Sequence, residues 1–294
     1  MIKINARLSG IFFNYLNYYR IDKQPKLMTR ILYKDILEIR DSKSIVSFDT
    51  TGGGSWENWN RFISIDGKHA YEIGNVCGTC SFYFNRLDGA NQSVHPSELI
   101  EQLNDGFFDL DQKTIEKIAE IIPNGKYRVL LLTVHPKQIK LGTDQDYFSN
   151  EEIKLWGVDG FWGLPHNPKI SYYRGTDQPI KQDEKIFEFI IPIFPQTWLQ
   201  PERVDFYKQK IAQGNIPTAI CLSVLDIKIP AVWIGDENPE YTGHWCLAHY
   251  LLDGHHKTFA AAELNKPITI ICFLAPEKGV IDSEEDIEML LTTL

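Results

Sequence analysis

From Ile186 to Leu274 the chain alternates strand-length apolar runs with helix-length segments, and this alternation restricts its fold more than any other feature. Phe187–Phe194, Ala219–Ile227, Trp245–Leu252 and Ile268–Leu274 read as strands from their β-branched and aromatic content. Gln200-Pro201-Glu202 opens a helix between the first two, with Val204, Tyr207, Lys208 and Ile211 along one side and Gly214 as its close. Asp253-Gly254 turns the third strand into a helix from about His256 to Leu264, which Lys266-Pro267 ends. The acidic end of the chain, with Asp282, Glu284, Glu285, Asp286 and Glu288, reads as a solvated terminal helix.

The stretch before residue 186 is less regular. Ile31–Leu37, Ser44–Asp49, Arg61–Ile65 and Ser81–Asn85 read as strands, and Thr50–Ser55 as a glycine loop without the Lys of a P-loop. A helix starts near His95-Pro96-Ser97-Glu98. Another follows Asp111, with Ile115, Ile118, Ala119 and Ile122 at helical spacing. Tyr127–Val134 reads as a buried strand, and residues 140–185 as a long irregular excursion. Trp156, Phe161, Trp162, Tyr172 and Tyr173 in that excursion read as aromatics covering a core, with a pocket wall as the alternative. The expectation is an α+β protein with a β-rich N-terminal domain over 1–185 and a second domain over 186–294.

A net charge of −9 argues against a broad nucleic-acid surface, which needs clustered Lys and Arg. No apolar run reaches the roughly 20 residues that span a bilayer. Met1–Arg20 lacks the pattern of a signal peptide, so the expected location is cytoplasmic, with no membrane partner. Oligomeric state leaves no trace in the sequence.

The chemistry concentrates at Asp253-Gly254-His255-His256-Lys257. A helix N-terminus carries unsatisfied N–H groups and a partial positive charge. Gly254 lets a ligand approach the backbone, and His255, His256 and Lys257 add donors in the first turn. Together these make an anion site, beside which Asp253 could hold a metal ion or a ligand hydroxyl.

Leu251–Leu264 (LLDGHHKTFAAAEL) resembles the signature of the ParB/sulfiredoxin-like superfamily, most closely the Asp-Gly-His-His-Arg branch that includes the free serine kinases. The order of Ile190–Ile193, Gln200–Val204, Gly214, Ala219–Asp226 and Trp245–Leu252 resembles the strand and helix order of that fold. The resemblance covers residues 186–275 and none of the first 185. It implies a mixed sheet with helices in the C-terminal part. It also implies a nucleotide-dependent phosphotransferase using ATP or another nucleoside triphosphate or diphosphate, with Mg²⁺, on a small hydroxyl-bearing substrate. Gly254, His255, His256 and Lys257 would line the phosphate site, with Lys257 standing where the branch carries Arg. Glu202 falls where the branch places its catalytic carboxylate, with Pro201 in place of a common His. Asp253 and His256 would assist, and Asp253 or Asp226 would hold the metal. The alternatives are a non-catalytic nucleotide sensor or interaction protein, and a ParB-like nuclease. Sulfiredoxin chemistry needs a Cys in the turn, where this chain has His255 and His256, and partition needs a DNA-binding domain after the motif.

Cys77-Gly78-Thr79-Cys80 is a lone CxxC. It reads as structural, with zinc completed by His69 and His95 or redox chemistry as alternatives.

Overall fold

The structure, a computed structural model, describes residues 28–92, 94–157, 168–193, 195–231, 240–280 and 283–294. Phe161, Trp162, Phe194, the 235–239 loop, Asp282 and the N-terminal stretch Met1–Arg20 lie outside them.

The first elements among the described residues are β1 (Arg30–Ile39), β2 (Val46–Gly53), β3 (Trp56–Ile65), β4 (Lys68–Asn75) and β5 (Asn85–Arg86). Two helices, α1 (Ile100–Asp105) and α2 (Gln112–Ala119), lead to β6 (Gly125–Val134) and β7 (Lys137–Gln138). Next come α3 (Glu151–Trp156), β8 (Tyr173–Lys181), β9 (Glu184–Pro192) and α4 (Pro201–Ala212). The C-terminal part adds β10 (Thr218–Lys228), β11 (Gly243–Asp253), α5 (His255–Leu264), β12 (Ile268–Leu274) and α6 (Glu284–Thr293). This is an α+β fold with an eight-stranded sheet in the order β1-β6-β12-β10-β11-β9-β8-β7 and a four-stranded sheet β2-β3-β4-β5.

The large sheet is mixed: β11 runs parallel to β9 and antiparallel to β10, while β10 runs parallel to β12. Its central strands β10, β11 and β12 are buried on both faces, which is why they read as apolar runs without alternation. Cys246, Ala248, Tyr250 and Leu252 of β11 face a core shared with the small sheet, α1 and α2. Trp245, Leu247 and Leu251 face a second core under α4, α5 and α6. The pairing crosses the boundary expected at 185/186: β8 forms a hairpin with β9, and β12 pairs with β6. Strands from both halves therefore share one sheet.

Other sequence expectations shift in detail. The strand expected over 81–85 is reduced to the short β5, and β4 takes its place beside β3. The 140–185 excursion contains α3 and β8, with Trp156, Tyr172 and Tyr173 buried. The acidic C-terminal helix is only half solvated. Ile287, Leu290 and Leu291 are buried on one side of this 10-residue helix. At roughly 1.5–3 kcal/mol per buried aliphatic, they dock a segment too short to be helical alone. Among the described residues no helix is long and apolar enough to cross a membrane.

Candidate functional site

Register brings the site together. Leu251 pairs with Pro192, Ile220 with Asp253, and Thr218 with Thr269. So β9 and β11 end where β10 and β12 begin, and all four ends meet at one edge of the sheet. The β10–β11 ladder shifts register between Ile220 and Cys221, a bulge of the kind that re-aims strand ends beside functional sites. Beyond it, Gly254 takes the left-handed conformation (φ +102°) and caps α5 without a side-chain hydrogen bond. A Cβ on Gly254 would stand 2.5 Å from the Cβ of Ala219, so glycine is required by backbone and packing alike.

A cavity of about 220 Å³ opens at this edge. It is lined by Asp253, Gly254, His255, His256 and Lys257, by Arg203 and Tyr207 of α4, and by His95, Ile100 and Asn104. The last three arrive from the N-terminal part. Val94 donates its N–H to the Leu252 carbonyl at 3.0 Å, and Phe107 donates its N–H to Thr218 Oγ1 at 2.8 Å. The Tyr207 hydroxyl donates to Asn104 Oδ1 at 2.7 Å, fixing α1 against α4.

The turn's side chains are held more tightly than the sequence implies. Lys257 is buried, and its Nζ donates to Asp253 Oδ2 (3.0 Å) and the Thr218 carbonyl (2.9 Å). Burial lowers its pKa despite the partner. Burial pushes the Asp253 carboxyl up, but the Lys257 charge and hydrogen bond outweigh it and leave Asp253 below the ordinary carboxylate range. Burial lowers His255 to about 3 and His256 to about 4, with Arg203 adding repulsion at His256. Both rings are thus neutral near pH 7. His255 Nε2 accepts the Ile193 N–H at 2.9 Å, and His256 Nε2 accepts the Gln200 N–H at 3.0 Å. The histidine pair therefore supplies no cationic charge. It ties the start of α5 to the end of β9 and to the N-cap of α4.

Two expected residues stand apart. Glu202, in the first turn of α4, is exposed and is not among the cavity-lining residues; its neighbour Arg203 is. Asp226 pairs with Cys246, and lies about 20 Å along β10 from the position opposite Asp253. It binds Arg61 through both oxygens, at 2.9 Å and 2.6 Å, so it does not share a metal with Asp253. Asp253 is the sole carboxylate lining the cavity among the described residues.

The sequence does not place Arg203, His95, Asn104 or Tyr207 at this turn: His95 reads only as a helix start and a possible zinc ligand, and Tyr207 only as part of a helix face. Arg203 had a visible signal, since it adjoins Glu202 in the same helix start. The segment carrying His95 and Asn104 had none, because tertiary pairing alone brings it to the turn.

The CxxC and His249 lie away from this cavity. Cys77 and Cys80 are half-buried free thiols, and Lys228 Nζ donates to the Cys77 carbonyl at 2.7 Å. His69 stacks on Phe62 and His95 lines the distant cavity, so neither joins the pair. Among the described residues no cluster of three or more His, Cys, Asp or Glu could hold a metal ion. His249 lies fully inside the sheet, with Nδ1 2.7 Å from Ser223 Oγ and Nε2 3.2 Å from Glu188 Oε1. The order Ser–His–Glu has a triad's composition, but all three are inaccessible, so the chain of contacts is structural.

Comparison with family models, with curated proteins and with solved structures gave no match.

Proposed function

We propose that the cavity at the Asp253–Lys257 turn binds the phosphates of a nucleotide, ATP or another nucleoside triphosphate or diphosphate. We further propose that the protein is a phosphotransferase acting on a small hydroxyl-bearing metabolite. The observation that carries this reading is the convergence of Arg203, Lys257 and the N-terminal end of α5 on one cavity. The succession β9, α4, β10, β11, α5, β12 supports assigning the C-terminal part to a ParB/sulfiredoxin-like arrangement. At about 220 Å³ the cavity falls below the roughly 300–1,000 Å³ of sites that enclose drug-sized ligands. It suits a phosphate chain, with the nucleoside on the surface outside.

Magnesium at such sites is held by one or two carboxylates plus phosphate oxygens and water. Asp253, ionised and on the cavity, suits that role; Asp226 does not. The ion would neutralise phosphate charge. Arg203 and Lys257 hold and orient phosphate oxygens, and His255 and His256 fix the helix start. Phosphoryl transfer through a loose transition state is mostly positioning and charge stabilisation, so a strong base is not required. In this reading Asp253, rather than Glu202, is the carboxylate next to the acceptor hydroxyl.

A non-catalytic nucleotide sensor is the second reading. The position of Glu202 off the cavity favours it. Thermal shifts with ATP, ADP and CTP, with and without Mg²⁺, followed by ADP formation over pooled metabolites, separate the two. Stabilisation with turnover lost in Asp253→Asn supports the transferase. Stabilisation without turnover supports the sensor. No shift with any nucleotide would sink both.

A further inference from the structure

The Cys77–Cys80 turn is held at the far end of β10 from the phosphate cavity. Lys228, which binds it, and Thr218, beside the cavity, are the two ends of that strand, about 33 Å apart along its length. Gly78 and Thr79 form the turn between the cysteines, in the loop from β4 to β5. A four-residue turn brings its end Cα atoms within about 7 Å, and a disulfide spans about 4.4–6.8 Å. The two thiols are hydrogen-bonded to one another, so the sulfurs already meet across the turn.

Three groups distant in sequence hold this turn closed. Lys228 Nζ donates to the Cys77 carbonyl at 2.7 Å, the Ile229 N–H to the Gly78 carbonyl at 3.0 Å, and Trp156 Nε1 to the Thr79 carbonyl at 3.4 Å. The Cys77 N–H in turn donates to Asn75 Oδ1 at 3.0 Å. Successive carbonyls are thus bound from β10, from the residue after it and from α3. A backbone fixed in this way has already lost the freedom that opposes ring closure, so a bond between the two sulfurs forms between preplaced atoms. Cysteines that only fill a core need no such frame. Cys221, Cys246 and Cys272 are fully buried within strands, whereas Cys77 and Cys80 are half-buried in a loop.

The two sulfurs are not equivalent. Thr79 Oγ1 lies 3.3 Å from Cys77 Sγ. Burial raises the Cys77 pKa, but hydrogen bonds with Cys80 and Thr79 and the Lys228 charge outweigh it and bring Cys77 below an ordinary thiol. Burial, then the hydrogen bond to Cys77, pushes Cys80 up to about 11. Lys228 is buried, and the Asp226 carboxylate 3.7 Å from its Nζ is already bound by Arg61, so the Lys228 charge is only partly compensated. A thiolate is the nucleophile of disulfide exchange, and a second thiol within reach completes the exchange.

We propose that Cys77 and Cys80 form a dithiol that exchanges with low-molecular-weight disulfides, Cys77 attacking and Cys80 resolving. The Cys77 thiolate attacks one sulfur of a disulfide RSSR. A bond forms between Cys77 Sγ and that sulfur, the RS–SR bond breaks, and RS⁻ leaves and takes up a proton. Cys80 then gives its proton to solvent and attacks the Cys77 sulfur, expelling the second RS⁻, which is protonated in turn. The dithiol loses two electrons and two protons, and RSSR becomes two RSH. The site does not rest on the function proposed for the phosphate cavity.

The test uses the full chain, reduced and freed of reductant, with glutathione disulfide as the probe. Thiols remaining after an acid quench are alkylated and located by mass spectrometry. Glutathione disulfide should join Cys77 to Cys80 and release two glutathiones per chain, while Cys221, Cys246 and Cys272 stay reduced. Cys80→Ser should stop at a mixed disulfide on Cys77. Cys77→Ser should react about tenfold more slowly than Cys80→Ser, because the smaller thiolate fraction of Cys80 outweighs its greater nucleophilicity. Thr79 is exposed, so Thr79→Val should leave the urea midpoint unchanged while slowing the reaction of the otherwise native chain about two- to fivefold, the loss of one hydrogen bond to the thiolate. The proposal is overturned if excess glutathione disulfide forms no bond between Cys77 and Cys80, if Cys80→Ser gathers no mixed disulfide, or if Cys77→Ser reacts as fast as Cys80→Ser. A stoichiometric zinc ion held by the two thiols in the isolated protein would overturn it as well.

Discussion

Replacing Gly254 by alanine tests whether the turn is as tightly determined as its geometry indicates. Two costs add. An L side chain in the left-handed conformation costs about 1–2 kcal/mol, and Gly254 sits there with φ +102°. The new Cβ would also stand 2.5 Å from Ala219 Cβ and 2.9 Å from Ala219 Cα, an overlap that costs about 1–3 kcal/mol to relieve in a packed interior. The expected loss is about 2–5 kcal/mol, below the roughly 5–15 kcal/mol that a folded domain commands. Urea denaturation should show a lower midpoint with an unchanged slope. A second measurement separates the two costs. In an Ala219→Gly background the overlap with the Ala219 methyl disappears, while the backbone strain and the close approach to the main chain at 219 persist. Gly254→Ala should then cost measurably less, but not nothing. A loss under about 1 kcal/mol in the native background would refute the reasoning. So would complete rescue by Ala219→Gly, which would mean that the left-handed backbone contributes nothing.

Three further predictions concern groups buried away from the cavity. Burial alone would lower the His249 pKa, but Cys272 and Glu188 outweigh it and raise it to about 9. Its contribution to stability is therefore complete below the unfolded value of about 6.5 and is lost as pH rises through 9. The loss is on the order of 3 kcal/mol, and His249→Gln should flatten that part of the stability–pH curve. Burial, then Asp146, raises the Glu152 pKa well above 4.5, and neither carboxyl oxygen has a hydrogen-bond partner among the described residues. Stability from this group is full below about pH 4.5 and declines above it, so Glu152→Met should stabilise the protein at pH 7 by about 1–3 kcal/mol in urea titrations. Asp226→Ala strands Arg61 in the core and should cost about 3–5 kcal/mol, whereas a catalytic metal ligand would reduce activity at little cost in stability.

The sequence made the C-terminal part legible because its signals are local. Gly254 and Asp253 announce the turn, Pro201 and Gly214 bracket α4, and apolar runs mark β9 to β12. What it concealed depends on distant pairing. β8 contains Gly175, Asp177 and Pro179, poor strand formers whose edge location and bulge make them tolerable. β4 reads weakly because Gly74 and Lys68 interrupt its apolar positions. Asp226 reads as a metal ligand until Arg61, 165 residues away, occupies both its oxygens. His255 and His256 read as phosphate donors until burial makes them neutral and backbone N–H groups claim their Nε2 atoms.

That last point moves the charge of the site onto one residue. Lys257 is compensated by Asp253 at 3.0 Å, and the two histidines are neutral near pH 7. Arg203 forms no ion pair among the described residues and lines the same cavity, so it is the cation available to an incoming phosphate. Arg203→Ala should therefore lower nucleotide affinity by about tenfold or more, as expected for a charge-assisted hydrogen bond worth about 1.5–3 kcal/mol. It should do so with almost no change in stability, because the side chain is exposed. Lys257→Met should behave differently. It leaves the half-buried Asp253 without its partner, so the urea midpoint should fall together with affinity. Calorimetric titration with ATP beside urea denaturation distinguishes the two patterns. If Arg203→Ala binds ATP as the parent does while Lys257→Met loses binding without losing stability, the charge sits on the lysine, and the assignment of roles at this turn is reversed.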